Sequence, residues 1–151
     1  MGTYLKQTKN AYFAGIDIDE KDVMLANKKL DAAYCLNIEH DSFEKLGKFD
    51  VVVMADVIEH LVGPATTLKR LKNSLRPKGR LIFSIPNMSN VPIRLALMEG
   101  SFTYGNSGLQ ERTHLHFYDK ETIIKLFEQV GYQIETTDNT IREIPKNILK
   151  N

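Results

Sequence analysis

Three ionisable residues crowd one short segment of the chain, residues 56–60. In a helical turn Asp56, Glu59 and His60 would stand at positions i, i+3 and i+4 and share a face. That spacing suits an imidazole that accepts a proton while carboxylates hold it, and it also suits a divalent cation. A salt-bridged helix cap is the alternative without chemistry. We predict His60 and Glu59 as the catalytic residues.

A second candidate follows the first apolar run, which ends in Gly15-Ile16-Asp17-Ile18-Asp19. An acidic side chain at the end of such a strand can accept both hydroxyl groups of a ribose, as in dinucleotide-binding folds. Asp19 directly precedes a helical pattern and therefore suits a helix cap. Asp17 is the predicted ribose ligand, with a turn or cap role as the alternative.

The second apolar run ends in Leu36-Asn37-Ile38-Glu39. This order places a side-chain amide and an apolar side chain where the edge and the face of an adenine ring would lie, beyond the end of a strand. A plain turn explains the same residues nearly as well.

The elements that must position these side chains are predicted from apolar runs at residues 12–16, 33–36, 51–55 and 80–85. The last two runs do not alternate with polar residues, which predicts parallel strands covered on both faces. Helical patterns at 22–29 and 65–75 lie between the runs. This order is typical of an α/β fold with a Rossmann-like, open and mostly parallel sheet and helices on both faces.

The second half of the chain changes character. Residues 86–118 are rich in proline, glycine, asparagine and aromatic residues, which predicts an irregular lid. Asp119 can cap a helix that runs to Val130, and a last strand is predicted at 132–137. We predict one domain over residues 1–137 and a polar tail over 138–151.

Composition excludes several classes of protein. The single cysteine excludes an internal disulfide, and a net charge of +1 gives no strong field for nucleic acid or a membrane surface. No apolar stretch reaches the ~20 residues of a membrane span, and the first residues lack the apolar centre of a signal peptide. We expect a cytoplasmic protein whose partner is a small molecule.

Taken together, these residues resemble class I S-adenosylmethionine-dependent methyltransferases of the type-11/type-12 group. The resemblance rests on GIDID at 15–19, FDVVVMADVIEHL at 49–61, LRPKGRLIFSIPN at 75–87 and RTHLHF at 112–117. It implies S-adenosylmethionine as cofactor and a hydroxyl, amine or carboxylate as methyl acceptor. The lid resembles those of sugar- and cell-envelope-modifying methyltransferases, which implies a saccharide or similar metabolite.

The resemblance also implies roles for the residues that follow the first two strands. Asp17 would hold the ribose hydroxyls of the cofactor, and Ile18 would pack on adenine. Asn37 and Ile38 would contact the edge and the face of the adenine ring. The family often has aspartate where this chain has Asn37.

After the third strand, the resemblance implies that Ala55 and Asp56 border the methionine portion of the cofactor and that His60 faces the substrate. Some relatives bind a divalent metal through a turn like Asp56, Glu59 and His60, with a further histidine for which His114 is the nearest match. From the sequence we assign no metal ligand and leave this alternative open.

One departure from the family pattern concerns the glycine-rich loop that should precede Asp17 by about 20 residues. No such loop occurs, and residues 2–6 resemble the helix that would follow it. We therefore expect either a truncated chain or a divergent member that lacks the family's first strand, with weak cofactor binding and a tendency to form a homodimer.

Two other functions remain as alternatives. The first is a non-catalytic binding or scaffold subunit that uses the family's fold. The second is a nucleotide-dependent oxidoreductase or epimerase, which requires a Tyr-x-x-x-Lys pair, whereas residues 118–122 read YDKET.

Overall fold

The computed structural model of this chain describes Lys6 and residues 10–139. The chain divides into two compact units, Met1–Gly47 and Lys48–Asn151. The predicted helix at residues 2–6, apart from Lys6, and the predicted tail beyond residue 139 lie outside the described residues.

The first unit is a strand, a helix and a parallel strand. Strand β1 (Ala14–Asp17) pairs in parallel with β2 (Ala32–Cys35), and helix α1 (Glu20–Asn27) connects them. The Asp19 carboxylate accepts from the Lys21 N–H at 2.7 Å, which caps the first turn of α1. The predicted helix cap and the parallel pairing are both confirmed.

The second unit repeats this arrangement with longer strands. Strand β3 (Phe49–Ala55) pairs in parallel with β4 (Leu75–Ser84), and helix α2 (Pro64–Leu71) lies between them in the chain. Pro64 occupies the first turn of α2, where its missing N–H leaves no intrahelical bond unmade. The alternation of strand and helix is therefore as predicted.

The last described helix, α4 (Lys120–Gln129), completes the core of the second unit. Asp119 and Thr122 cap it reciprocally, and Phe127 stacks on Phe83 of β4 with ring centroids 4.1 Å apart. No helix in the described part of the chain is long and apolar enough to cross a bilayer.

The side chains on the two faces of the second sheet differ in exposure. Met54 and Phe83 point into the core of the second unit, whereas Val51, Val53 and Ile82 are exposed. An apolar run predicts that a strand favours burial, but it does not identify the element that covers each face.

Two predicted segments also differ. The lid is not wholly irregular, because helix α3 (Val91–Met98) forms within it and places Pro92 in its first turn. Residues 132–137 form no strand. Side chains hold this segment instead, since the Tyr132 hydroxyl donates to Leu68 O at 3.0 Å and Glu135 pairs with Arg80 at 3.0 Å.

Candidate functional site

The turn after β3 is shaped by Asp56, whose φ of 52° is uncommon for a residue other than glycine. Its N–H donates to Ser84 O at 3.1 Å, and its Oδ1 accepts from Ser84 Oγ at 2.9 Å. The chain then enters a 3-10 turn, Ile58–His60. The predicted helical face is therefore wrong: Asp56 is held at the end of β4, while Glu59 and His60 belong to the following turn.

Two histidines meet beside this turn. His60 Nδ1 lies 3.1 Å from Thr113 O, and His114 Nδ1 lies 3.2 Å from Leu109 O. Because a carbonyl oxygen only accepts, each Nδ1 must carry the proton, which leaves each neutral ring with its lone pair on Nε2. The two rings meet edge to face with centroids 4.8 Å apart. Both can accept a proton or bind a cation.

Glu59 is buried beside them, with only 1% of its surface exposed. Neither carboxylate oxygen has a hydrogen-bond partner among the described residues. Burial raises the pKa of Glu59 above its usual value, and the charge of Asp56 adds to this, whereas the residue's own backbone N–H, His60 and His114 act in the opposite direction. An unpaired buried carboxylate is costly, so this group requires a proton or a cation.

The structure thus assembles a cluster that the sequence identifies only in part. Ligand atoms of Glu59, His60 and His114 all lie within 4.8 Å of one another. The lid contributes through its backbone as well, because the N–H groups of Leu115 and His116 donate to Glu59 O at 2.8 and 3.1 Å. One carboxylate and two imidazoles, each imidazole anchored through Nδ1, suit a divalent transition metal.

A cavity of about 690 Å³ opens beside His114. Three aromatic residues of the lid line it, Phe102, Tyr104 and Phe117, together with Arg112. Thr103, His114 and Leu115 complete the lining. The sequence predicts the lid and singles out His114, but it does not predict that the aromatic residues and Arg112 line a cavity. Their only sequence signal is a concentration of aromatic residues around one arginine.

Asp17 ends β1 of the first unit, as predicted. Its Oδ1 accepts from the Asp19 N–H at 2.9 Å, and no described residue binds its second carboxylate oxygen. The next residue, Ile18, leaves 69% of its surface exposed. An available carboxylate beside an exposed apolar side chain fits a ribose that carries an adenine base.

Asn37 follows β2 and makes a local turn. Its Oδ1 accepts from the Glu39 N–H at 2.9 Å, and its own N–H donates to Asp41 at 2.7 Å. The turn role weighed as an alternative is therefore present. The amide NH₂ of Asn37 and the half-buried Ile38 remain compatible with an adenine contact.

Comparison with known proteins places residues 4–137 in a family described as a methyltransferase domain. Three curated relatives are named ubiquinone biosynthesis O-methyltransferase. The chain is 31% identical over 83 residues to the protein from Aromatoleum aromaticum, covering 51% of this chain and 36% of the relative. It is 27% identical over 86 residues to that from Acinetobacter baylyi, covering 52% and 36%.

The third relative, from Idiomarina loihiensis, is 24% identical over 115 residues, which covers 72% of this chain and 46% of that protein. The chain therefore spans less than half the length of each of these three relatives.

Proposed function

We propose that this chain transfers a methyl group to a hydroxyl oxygen of a small molecule, because it belongs to the class I methyltransferase-domain family. Membership of this family implies S-adenosylmethionine as the methyl donor. The oxidoreductase weighed on the sequence lacks this support, whereas a scaffold subunit with the family's fold is separated from an enzyme by its failure to bind the cofactor.

The observation that carries the proposal is the pair of imidazoles beside the lid cavity. His60 has Nδ1 fixed by Thr113 O, so Nε2 is the atom that can receive a proton. His114 contacts His60 and also lines the cavity. A hydroxyl bound in this cavity would therefore lie near a group that can act as a general base.

The chemistry required of the protein is modest. S-adenosylmethionine supplies, when bound, a methyl group on a positively charged sulfur that leaves as a neutral thioether. His60 Nε2 takes the proton that the acceptor hydroxyl loses as its oxygen becomes methylated. Ionised Glu59 stabilises the imidazolium that results, because its buried carboxylate lies within 4.8 Å of the ring nitrogen and has no hydrogen-bond partner among the described residues.

The cofactor roles follow from the strand ends. In the first unit, Asp17 would accept the ribose hydroxyls, while Ile18 would pack on the adenine face. Asn37 and Ile38 are the proposed contacts for the adenine edge and face. In the second unit, the exposed Ala55 and Asp56 are assigned to the methionine portion, where the bond from Ser84 holds the Asp56 carboxylate in place.

Replacing Asp17 with alanine should weaken S-adenosylmethionine binding by roughly 1–3 kcal/mol, because the hydrogen bonds to a charged acceptor are lost. That corresponds to about 5- to 150-fold in the dissociation constant. Asp22→Ala is the matched control, since Asp22 is exposed on α1 and does not end a strand. If both substitutions change the calorimetric dissociation constant for S-adenosylmethionine equally, Asp17 is not part of the binding site.

Two acceptor classes are candidates. The lid's resemblance to sugar-modifying methyltransferases favours a saccharide or cell-envelope metabolite. The name shared by the curated relatives favours a compound on the way to ubiquinone. Both classes offer the hydroxyl group that the proposed reaction needs.

Transfer of a labelled methyl group tests the proposal. The complete protein that carries this sequence is incubated with methyl-tritiated S-adenosylmethionine and the small-molecule fraction of the cells that make it. A labelled small molecule that wild type forms and Asp17→Ala forms more slowly is the expected result. Equal label with wild type and with boiled enzyme would refute methyl transfer.

We propose a divalent cation as a second occupant of the acceptor side, favoured by the buried and unpaired Glu59. Glu59, His60 and His114 would hold the ion, and Asp56 is not among them. A bound cation would act as a Lewis acid that favours loss of the acceptor proton. Loss of activity in chelator, with recovery on adding Mg²⁺ or Mn²⁺, distinguishes this role from direct proton transfer to His60.

A further inference from the structure

Three aromatic side chains of the lid form one wall of the cavity. Phe102 meets Tyr104 edge to face with centroids 5.2 Å apart, and Phe117 lies 5.7 Å from Phe102 and 6.2 Å from Tyr104. All three remain exposed, although large aromatic side chains favour burial. Such an aromatic wall in a concave site is typical of a surface that a flat ligand covers.

Arg112 lines the same cavity and is exposed. None of the described residues forms an ion pair with it, and the carboxylate of the neighbouring Glu111 instead accepts from Thr113 Oγ1 at 2.7 Å. A guanidinium presents a planar fork of donors that matches the two oxygens of a carboxylate. No acidic side chain is among the cavity-lining residues that the structure describes, so the cavity favours an anion.

The lining also limits the number of hydroxyl groups that the cavity can satisfy. Its polar side chains are Thr103, Arg112 and His114, together with the Tyr104 hydroxyl, while the remaining lining is apolar. A saccharide carries several hydroxyl groups that need partners when water is displaced. A ring with few hydroxyls leaves fewer of them without a partner.

We propose that the acceptor is an aromatic carboxylate that carries a ring hydroxyl. Its ring stacks on the aromatic wall, its carboxylate binds Arg112, and its hydroxyl lies on the side of His114. The identity of the methylated atom rests on the proposed function. Recognition of the ring and of the carboxylate does not, because both can be measured without a methyl donor.

Binding of defined probes tests the proposal. We titrate the protein with 3,4-dihydroxybenzoate, with the uncharged 3,4-dihydroxybenzamide and with glucuronate, a saturated sugar acid. The expected order is benzoate tightest, with benzamide and glucuronate each weaker by about tenfold or more, since each lacks either the charge or the flat ring.

Variants assign each part of the recognition. Arg112→Gln should weaken benzoate binding about 10- to 150-fold and change benzamide binding less than twofold. Of these two probes, only the benzoate has a carboxylate that the Arg112 guanidinium can bind. Phe117→Leu should weaken both aromatic probes about two- to tenfold and leave glucuronate unchanged. Arg94→Gln is the matched control, since Arg94 is exposed on α3 and does not line the cavity.

Three outcomes would overturn the inference: no binding of the benzoate, equal loss with Arg94→Gln and Arg112→Gln, or glucuronate bound as tightly as benzoate. Unchanged melting temperatures of the variants exclude unfolding as the cause. Probe binding that depends on Arg112 in a protein that does not bind S-adenosylmethionine would contradict the proposed methyl transfer and still support this inference.

Discussion

His60→Ala is expected to lower methyl-transfer turnover about 10²–10⁴-fold, the usual span for a lost general base. His60 belongs to the 3-10 turn after β3, and its Nδ1 is committed to Thr113 O, so only Nε2 can take the acceptor proton. The affinity for S-adenosylmethionine should stay within about twofold of wild type, because the substitution removes no group assigned to the cofactor. Steady-state kinetics and calorimetry measure the two quantities.

Chemical rescue separates a base from a structural histidine. Added imidazole should restore part of the turnover of His60→Ala, whereas a packing defect would not respond to it. His116→Ala is the matched control from the lid, since His116 stacks on Tyr118 and is not a member of the Glu59, His60 and His114 cluster. If His60→Ala unfolds or no longer binds the cofactor, His60 has a structural role and the assignment as a base is wrong.

Glu59→Gln should stabilise the protein in chelator at pH 8 by about 1–3 kcal/mol, because it removes a buried charge without a hydrogen-bond partner. Burial raises the pKa of Glu59 above its ordinary 4.5, so between pH 4.5 and the raised pKa the folded state holds a proton that the unfolded state has released. The stability contributed by this proton is present below pH 4.5 and is lost as the pH rises through the raised pKa.

Urea unfolding from pH 4 to 8 measures this effect. The difference between wild type and Glu59→Gln should grow with pH, while Glu128→Gln, an exposed substitution on α4, should follow wild type. With Mn²⁺ at 100 times its dissociation constant, wild type should gain about 2.7 kcal/mol and Glu59→Gln much less. A pH-independent difference would show that Glu59 is not desolvated as described.

Much of the fold follows from local patterns. Asp19 and Asp119 are recognised as caps because a carboxylate one residue before a helix can bind its first N–H groups. Helix α3 is not predicted because the proline- and glycine-rich composition of residues 86–118 indicates an irregular segment, although proline fits the first turn of a helix. Residues 132–137 have a strand-like pattern, but side-chain contacts such as that of Tyr132 with Leu68 hold them without a ladder.

The residues alone indicate the part of the candidate site that is adjacent in sequence, whereas His114 enters the prediction only through the family resemblance. Glu59 and His60 follow a strand, and their proximity is local. The membership of His114 depends on the lid folding back across more than fifty positions, which no periodicity encodes. The strained backbone of Asp56, which removes this residue from the cluster, is a tertiary effect tied to Ser84.

Calorimetric titration with S-adenosylmethionine tests the central claim most directly, because it needs no knowledge of the acceptor. The complete protein that carries this sequence should give a saturable heat with one equivalent bound. His60→Ala should retain that heat, and Asp17→Ala should require about 5- to 150-fold more ligand. No heat of binding with folded wild type would contradict methyl transfer and favour a scaffold subunit.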